Sequence, residues 1–175
     1  MRMMFVAAML FILSACAGPK CAREANDPTA EVQVREVLER FRAAIAAKDG
    51  KTLRGLFLPQ PSAWISVVGD ASYPRLLASK PNAKRVRADT YDAFARSVEY
   101  NPKREEELFS NIDVRTDGAV AAVSFDFVYS VDGQPTNRGI EAWQLAKTDD
   151  GWKIVSMIYS VNLPRLRADD ERPVR

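Results

Sequence analysis

Glu141 and the hydroxyls of Tyr129 and Tyr159 are the groups of this chain best suited to proton chemistry, because its 175 residues include no histidine. That absence excludes a Ser-His-Asp triad, a Cys-His pair and His-ligated zinc. Acid–base work must then fall to Asp, Glu, Tyr, Lys or Cys. Side chains alternate faces along a strand, so parity sorts the candidates. In "GIEAWQLAKTDDGWKIVSMIYSV", Glu141 shares a face with Asn137, Trp143 and Leu145. Trp143 and Leu145 belong inside, which turns Glu141 inward near the start of its strand. A carboxyl facing aromatics has its pKa raised by desolvation. Glu141 is thus a weak catalytic candidate, as general acid or base, with Tyr129 or Tyr159 donating to a developing oxyanion. The spacing favours a plainer alternative, in which Glu141 is a rim ion pair with Arg138 or a lysine. Asp126 alternates with Phe125 and Phe127 and so faces outward.

A pocket on the inner face would be lined by Trp64, Phe125, Phe127 and Tyr129 from the earlier strands. Asn137, Glu141, Trp143 and Tyr159 would complete it from the last hairpin. The partner this implies is a small apolar or aromatic ligand. No cofactor and no metal ligand set is expected.

These residues need elements to position them. Asp27-Pro28 reads as a helix N-cap with Pro at the first helical position. Val34, Val37, Leu38, Phe41 and Ile45 follow as one helical stripe, and Lys48-Asp49-Gly50 ends it with Gly at the C′ position. A short helix carries Leu53, Leu56 and Phe57. Ser62 to Val68 is a strand by composition. Asp70 to Ala88 reads as a loop whose Lys80, Lys84, Arg85 and Arg87 are solvated. A third helix presents Tyr91, Phe94, Ala95 and Val98. The acidic run Glu105 to Glu107 reads as solvated, leaving no paired inward carboxylates. Beyond it the period becomes two, with Asp-Gly turns at 117–118, 132–133 and 150–151. Spacers this short force an antiparallel meander. The fold class is α+β, with helices first and then a curved antiparallel sheet wrapped round them. In the final strand Trp152, Ile154 and Ile158 fall on one face, and Val155, Met157, Tyr159 and Val161 on the other. Two apolar faces imply that a second surface is buried, and a homodimer through the outer sheet face is expected.

Apolar residues make up 47% of the chain and charged residues 27%, an ordinary globular balance. The net charge of +2 is too even for a nucleic-acid protein. Ahead of the domain, Arg2 precedes an unbroken apolar run from Met3 to Leu13, 11 residues long. That is shorter than the ~20 a spanning helix needs and suits a signal peptide. Leu13-Ser14-Ala15-Cys16 resembles the bacterial lipobox, which would make Cys16 a lipidated first residue. Ala15-Cys16-Ala17 also fits ordinary signal-peptidase cleavage, and an uncleaved anchor is the third alternative. The division expected is 1–15 signal peptide, 16–29 tether, 30–163 folded domain and 164–175 polar tail. Cys21 would lie in the tether.

The element order resembles the NTF2-like superfamily. "FDFVYSVDGQPTNRGIEAWQLAKTDDGWKIVSMIYSV" is similar to small secreted bacterial proteins of the nuclear transport factor 2, SnoaL-like or lumazine-binding type. The resemblance runs from Ala30 to Val161 and implies a cone of helices and curved sheet with a pocket at its open end, often in a dimer. It also implies Ser-His-Cys-Gly ahead of the Trp143 strand. This chain has Thr136-Asn137-Arg138-Gly139, so a site built on that His and Cys is not expected. The fold hosts isomerases, cyclases, dehydratases and binders alike, so it does not give the function. The expected function is a non-catalytic, ligand-binding or accessory lipoprotein on the periplasmic side of a bacterial membrane. The alternatives are a small isomerase- or cyclase-like enzyme using Glu141, and a structural module with a filled cone.

Overall fold

The structure is a computed structural model and describes residues 26–60 and 62–164. The expected signal peptide, Cys16, Cys21 and residues 165–175 lie outside the described residues. Four helices and six strands follow in the order α1 (Pro28–Ala47), α2 (Gly50–Gly55), β1 (Ala63–Val68), α3 (Tyr73–Ser79), β2 (Val86–Ala88), α4 (Tyr91–Tyr100), β3 (Glu105–Thr116), β4 (Val120–Val131), β5 (Gln134–Thr148) and β6 (Gly151–Val161). The strands form one curved open sheet in the order β2-β1-β6-β5-β4-β3. Helices α1, α2 and α4 bury their apolar stripes against its concave face, around Phe41, Leu38, Ile45, Leu53 and Val98.

The start of α1 follows from its sequence. The Asp27 carboxylate accepts hydrogen bonds from Thr29 N (2.9 Å) and Ala30 N (3.0 Å), and Pro28 occupies the first turn. Two residues ahead of α1 are tied to β3: Asp27 N donates to Thr116 O, and the Asn26 amide donates to Val114 O. The end of α1 differs from expectation. Lys48, not Gly50, takes the left-handed conformation (φ 57°), and Asp49 caps α2 through Thr52 N. Gly50 opens α2 because α4 lies against it. A Cβ there would meet the Glu99 carboxylate at 2.7 Å and Ala95 O at 3.0 Å.

The meander forms at the three Asp-Gly turns. Asp132 and Gly133 both have positive φ (51° and 72°), the two-residue turn whose twist matches paired strands. Other expectations are corrected. Residues 70–88 are not wholly loop, since they hold α3 and β2. The meander β3–β6 pairs antiparallel throughout, as expected, and β1 adds to the free edge of β6 in parallel. A crossover of that kind needs a long connection, and the chain from Ala63 to Val161 supplies one. The run Glu105–Glu107 is strand, and alternation turns Glu105 and Glu107 inward.

The register shifts at three places: at Thr136 of β5, between the pairs Tyr129–Asn137 and Ser130–Pro135, and at one bulge each in β3 and β6. Between Ser110 and Asp113 the β3 register shifts, with Asn111 at φ 52° and its amide donating to the outward Asp126 carboxylate at 2.6 Å. In β6, Val155 is the extra residue between the pairs Gln144–Ser156 and Leu145–Ile154. Trp152 and Ile154 therefore share the inner side with Met157 and Tyr159, while Ile158 faces out, 49% exposed. The simple odd–even division of the last strand fails at that bulge.

Gly139 is where β5 and β6 approach most closely. A Cβ there would sit 2.6 Å from Ser160 O and still nearer its hydroxyl. The same hydroxyl accepts from Ile140 N at 3.0 Å. Gly139→Ala should lower stability by about 1–3 kcal/mol through overpacking, seen as a lower denaturation midpoint at unchanged slope. An unchanged midpoint would show that the strands separate there without strain.

Candidate functional site

The concave face does not close completely. A cavity of about 280 Å³ remains between α1, α4 and the inner face of the sheet. Phe41 and Phe94 form its helical side, with Ser97 of α4. Trp64, Phe127, Tyr129, Met157 and Tyr159 line the sheet side. Its polar groups are Glu105 and Glu107 from β3, Asn137 and Glu141 from β5, and the two tyrosine hydroxyls. The cone is not filled. A larger hollow of about 670 Å³ lies over Arg115, Ala122, Gln144 and Val155, but no buried titratable side chain lines it.

Glu141 is 3% exposed. It is no rim ion pair: Arg138 lies on the opposite parity and is exposed, and no salt bridge among the described residues includes Glu141. Its partner is instead Trp143, two residues along the same strand, whose indole N–H donates to Oε1 at 2.8 Å. The indole is fixed in turn by Phe41 (ring centroids 5.0 Å), Phe125 (5.2 Å) and Phe109 (6.0 Å), all edge-on. Phe125 and Trp143, expected to line the pocket, are core residues behind its wall. Trp64, Phe127, Tyr129, Asn137, Glu141 and Tyr159 do border the cavity. Asn137 is held by its own backbone duty, accepting from Asn162 N at 2.9 Å through Oδ1.

Sequence reasoning missed Glu105 and Glu107. Both are buried, at 6% and 7% exposure. Parity was the available signal: with Phe109 inside, Glu107 and Glu105 must follow. Three adjacent acids instead suggested a solvated run. Arg104 and Glu106 do carry that role, paired with each other on the outside.

Burial governs the electrostatics. It pushes the Glu141 carboxyl up from 4.5 to about 8, against the opposing pull of the Trp143 N–H. It raises Glu107 well above the carboxylate range too; the neighbouring Glu141 charge adds to this and Arg42 opposes it. The Tyr129 hydroxyl is raised by burial and then by the Glu105 charge, and Tyr159 by burial. Burial thus favours the protonated form of Glu107 and of Glu141. Glu105 adds an acceptor, since its Oε2 is buried without a hydrogen-bond partner. The described residues hold no group of three or more His, Cys, Asp or Glu placed to bind a metal ion.

The folded state binds a proton at Glu141 that the unfolded chain releases near 4.5. That stabilisation is full below about 4.5 and is lost as pH rises towards about 8, at up to roughly 1.4 kcal/mol per pH unit. Unfolding free energy should thus fall between pH 5 and pH 8. Glu141→Gln keeps an acceptor for the indole and removes the charge. It should flatten that profile and be more stable than the parent at pH 8 by on the order of 1–3 kcal/mol. Parallel pH profiles for the two proteins would mean that Glu141 is solvated.

No family model matches the chain, and no curated protein matches it. Solved structures do. A protein of unknown function from Mycobacterium tuberculosis aligns with 18% identity and a TM-score of 0.56, over 83% of each chain. A candidate dehydratase of the NTF2-like family from Streptomyces avermitilis gives 19% and 0.56, over 78% of this chain and 98% of that one. An NTF2-like protein of unknown function from Shewanella baltica gives 14% and 0.53, over 81% and 100%. At such identities the likeness concerns architecture alone, and the chain has the NTF2-like, cystatin-like fold.

Proposed function

We propose that this chain is a small-ligand-binding protein of the bacterial cell envelope, with the cone cavity as its binding site. The observation that supports this is an unfilled, aromatic-walled cavity with a few converging polar groups, the usual make-up of a small-molecule site. At about 280 Å³ it suits a compact ligand. Ser97 borders the cavity from the exposed side of α4, so Ser97→Trp would obstruct it at little structural risk. In a thermal-shift screen of metabolite fractions, followed by native mass spectrometry, the parent should be stabilised by a bound small molecule. A ligand at 100 times its Kd contributes about 2.7 kcal/mol. Ser97→Trp should keep its own stability within about 0.5 kcal/mol and lose the shift. An equal shift in both proteins would place the ligand elsewhere.

A second reading is a small isomerase- or cyclase-like enzyme, supported by one specific feature. Glu141, with a pKa of about 8, is poised near neutrality beside two tyrosine hydroxyls. One structural neighbour is described as a candidate dehydratase, which makes proton transfer a chemistry compatible with the architecture. Turnover abolished by Glu141→Gln with binding retained would establish this reading.

The envelope location rests on the leader and on Cys16, and dimerisation on the outer sheet face. That face carries Ile140 at 62% exposure and Ile158 at 49%, directly across from the helices. Two or more acyl chains would be required for stable attachment. Cys16→Ala should therefore move from the membrane to the soluble envelope fraction, with a light-scattering mass of two chains. Lipid still attached to the variant would refute the anchor, and a one-chain mass would refute the dimer.

A further inference from the structure

The cavity holds more acceptor capacity than its own residues satisfy. Glu105 is 94% buried by the complement of its 6% exposure, borders the cavity, and leaves Oε2 without a partner. Buried polar atoms in native proteins are nearly always paired. Glu107 and Glu141 line the same space. No lysine or arginine does; the nearest guanidinium, Arg42, is engaged outside it by Glu39 (2.6 Å) and by the backbone oxygen of Glu107 (3.1 Å). The remaining walls are Phe41, Trp64 and Phe94, whose ring faces attract cations.

Resting on the ligand-binding reading above, we propose that the cavity takes a small organic cation, an ammonium ion on a compact apolar or aromatic body, with Glu105 and Glu141 as its charged partners. An anion would meet three carboxyl groups and no lysine or arginine. A neutral molecule would leave Glu105 Oε2 unmatched unless it brought a donor. A metal ion would need three or more ligating groups together, which the described residues do not provide. An ammonium group supplies donors and charge at once, and its apolar body replaces water against the rings.

Burial raises the Glu107 and Glu141 carboxyls, so a cation bound beside them favours loss of a proton. The groups facing one another here are Glu105 and Glu107 from β3, Tyr129 from β4, Glu141 from β5 and Tyr159 from β6, with Arg42 of α1 behind Glu107 and Asp89 beyond Tyr159. Both tyrosine hydroxyls are raised above 10, so they stay protonated below pH 9. The carboxyls are the proton source. Each cation bound should release up to one proton, and affinity should rise from pH 6 to pH 8.

The test is isothermal titration calorimetry of the intact domain with three isosteric probes, benzylammonium, benzyl alcohol and benzoate. At pH 8 benzylammonium should bind at least about ten-fold more tightly than benzyl alcohol, with benzoate undetectable. Titration in two buffers of different ionisation enthalpy counts the released proton. Glu105→Gln and Glu141→Gln should each weaken benzylammonium about ten-fold or more and weaken benzyl alcohol, which brings a donor but no charge, by clearly less. Should Glu105→Gln not fold, the proton count and the pH profile of the parent decide the matter. Equal or tighter binding of benzyl alcohol, or no proton release, overturns the cation and leaves the pocket reading standing. Silence from all three probes overturns both.

Discussion

One hydrogen bond organises the interior: the Trp143 indole N–H to the Glu141 carboxyl, 2.8 Å, between neighbours on the inner face of one strand. A buried indole N–H needs an acceptor, and a buried carboxyl needs a donor. Each supplies the other. Trp143 is locked by three phenylalanine edges, so the carboxyl it holds is locked too. The hairpin fills the core with its tryptophan and faces the cavity with its glutamate. Removing either would leave the other unsatisfied in a low-dielectric space.

The rest of the site follows from that anchor. Strand β4 separates β5 from β3, and its inward residues Phe125 and Phe127 pair with Glu141 and Gly139. Across β4, Phe109 and Glu107 pair with Phe127 and Tyr129. The inner face therefore carries aromatics at its middle and acids towards one end. Curvature holds that end away from the helices, and the cavity is the space left over. Burial, more than mutual repulsion, raises Glu107, and burial raises Glu141. A site of this kind can donate hydrogen bonds when empty and become anionic when a suitable guest arrives.

The architecture is shared with proteins whose functions differ or are unknown, so chemistry has to be argued from the cavity. Asn137 and Arg138 occupy the positions where the resemblance implied His and Cys, and the structure uses them otherwise: Asn137 accepts from the Asn162 backbone, and the Arg138 backbone bridges to Asn162. Those two residues fasten the end of the sheet, and the acids that line the cavity are Glu105, Glu107 and Glu141.

Sequence by itself determined the α+β class, the N-cap at Asp27, the apolar stripe of α1, the three Asp-Gly turns and the inward faces of β4 and β5. These are local matters, set by backbone preference and by the alternation of side chains. Only the tertiary structure decided the rest. Bulges at Asn111 and Val155 add one residue against a partner strand, and no local pattern announces them. The close approach of α4 leaves no room for a Cβ at Gly50, while the left-handed residue that ends α1 is Lys48. Whether Glu141 met Arg138 or Trp143, and whether Glu105 and Glu107 met water or a cavity, depended on what covered the sheet. Burial is a property of the whole fold, because the side chains that exclude water come from helices distant in the chain.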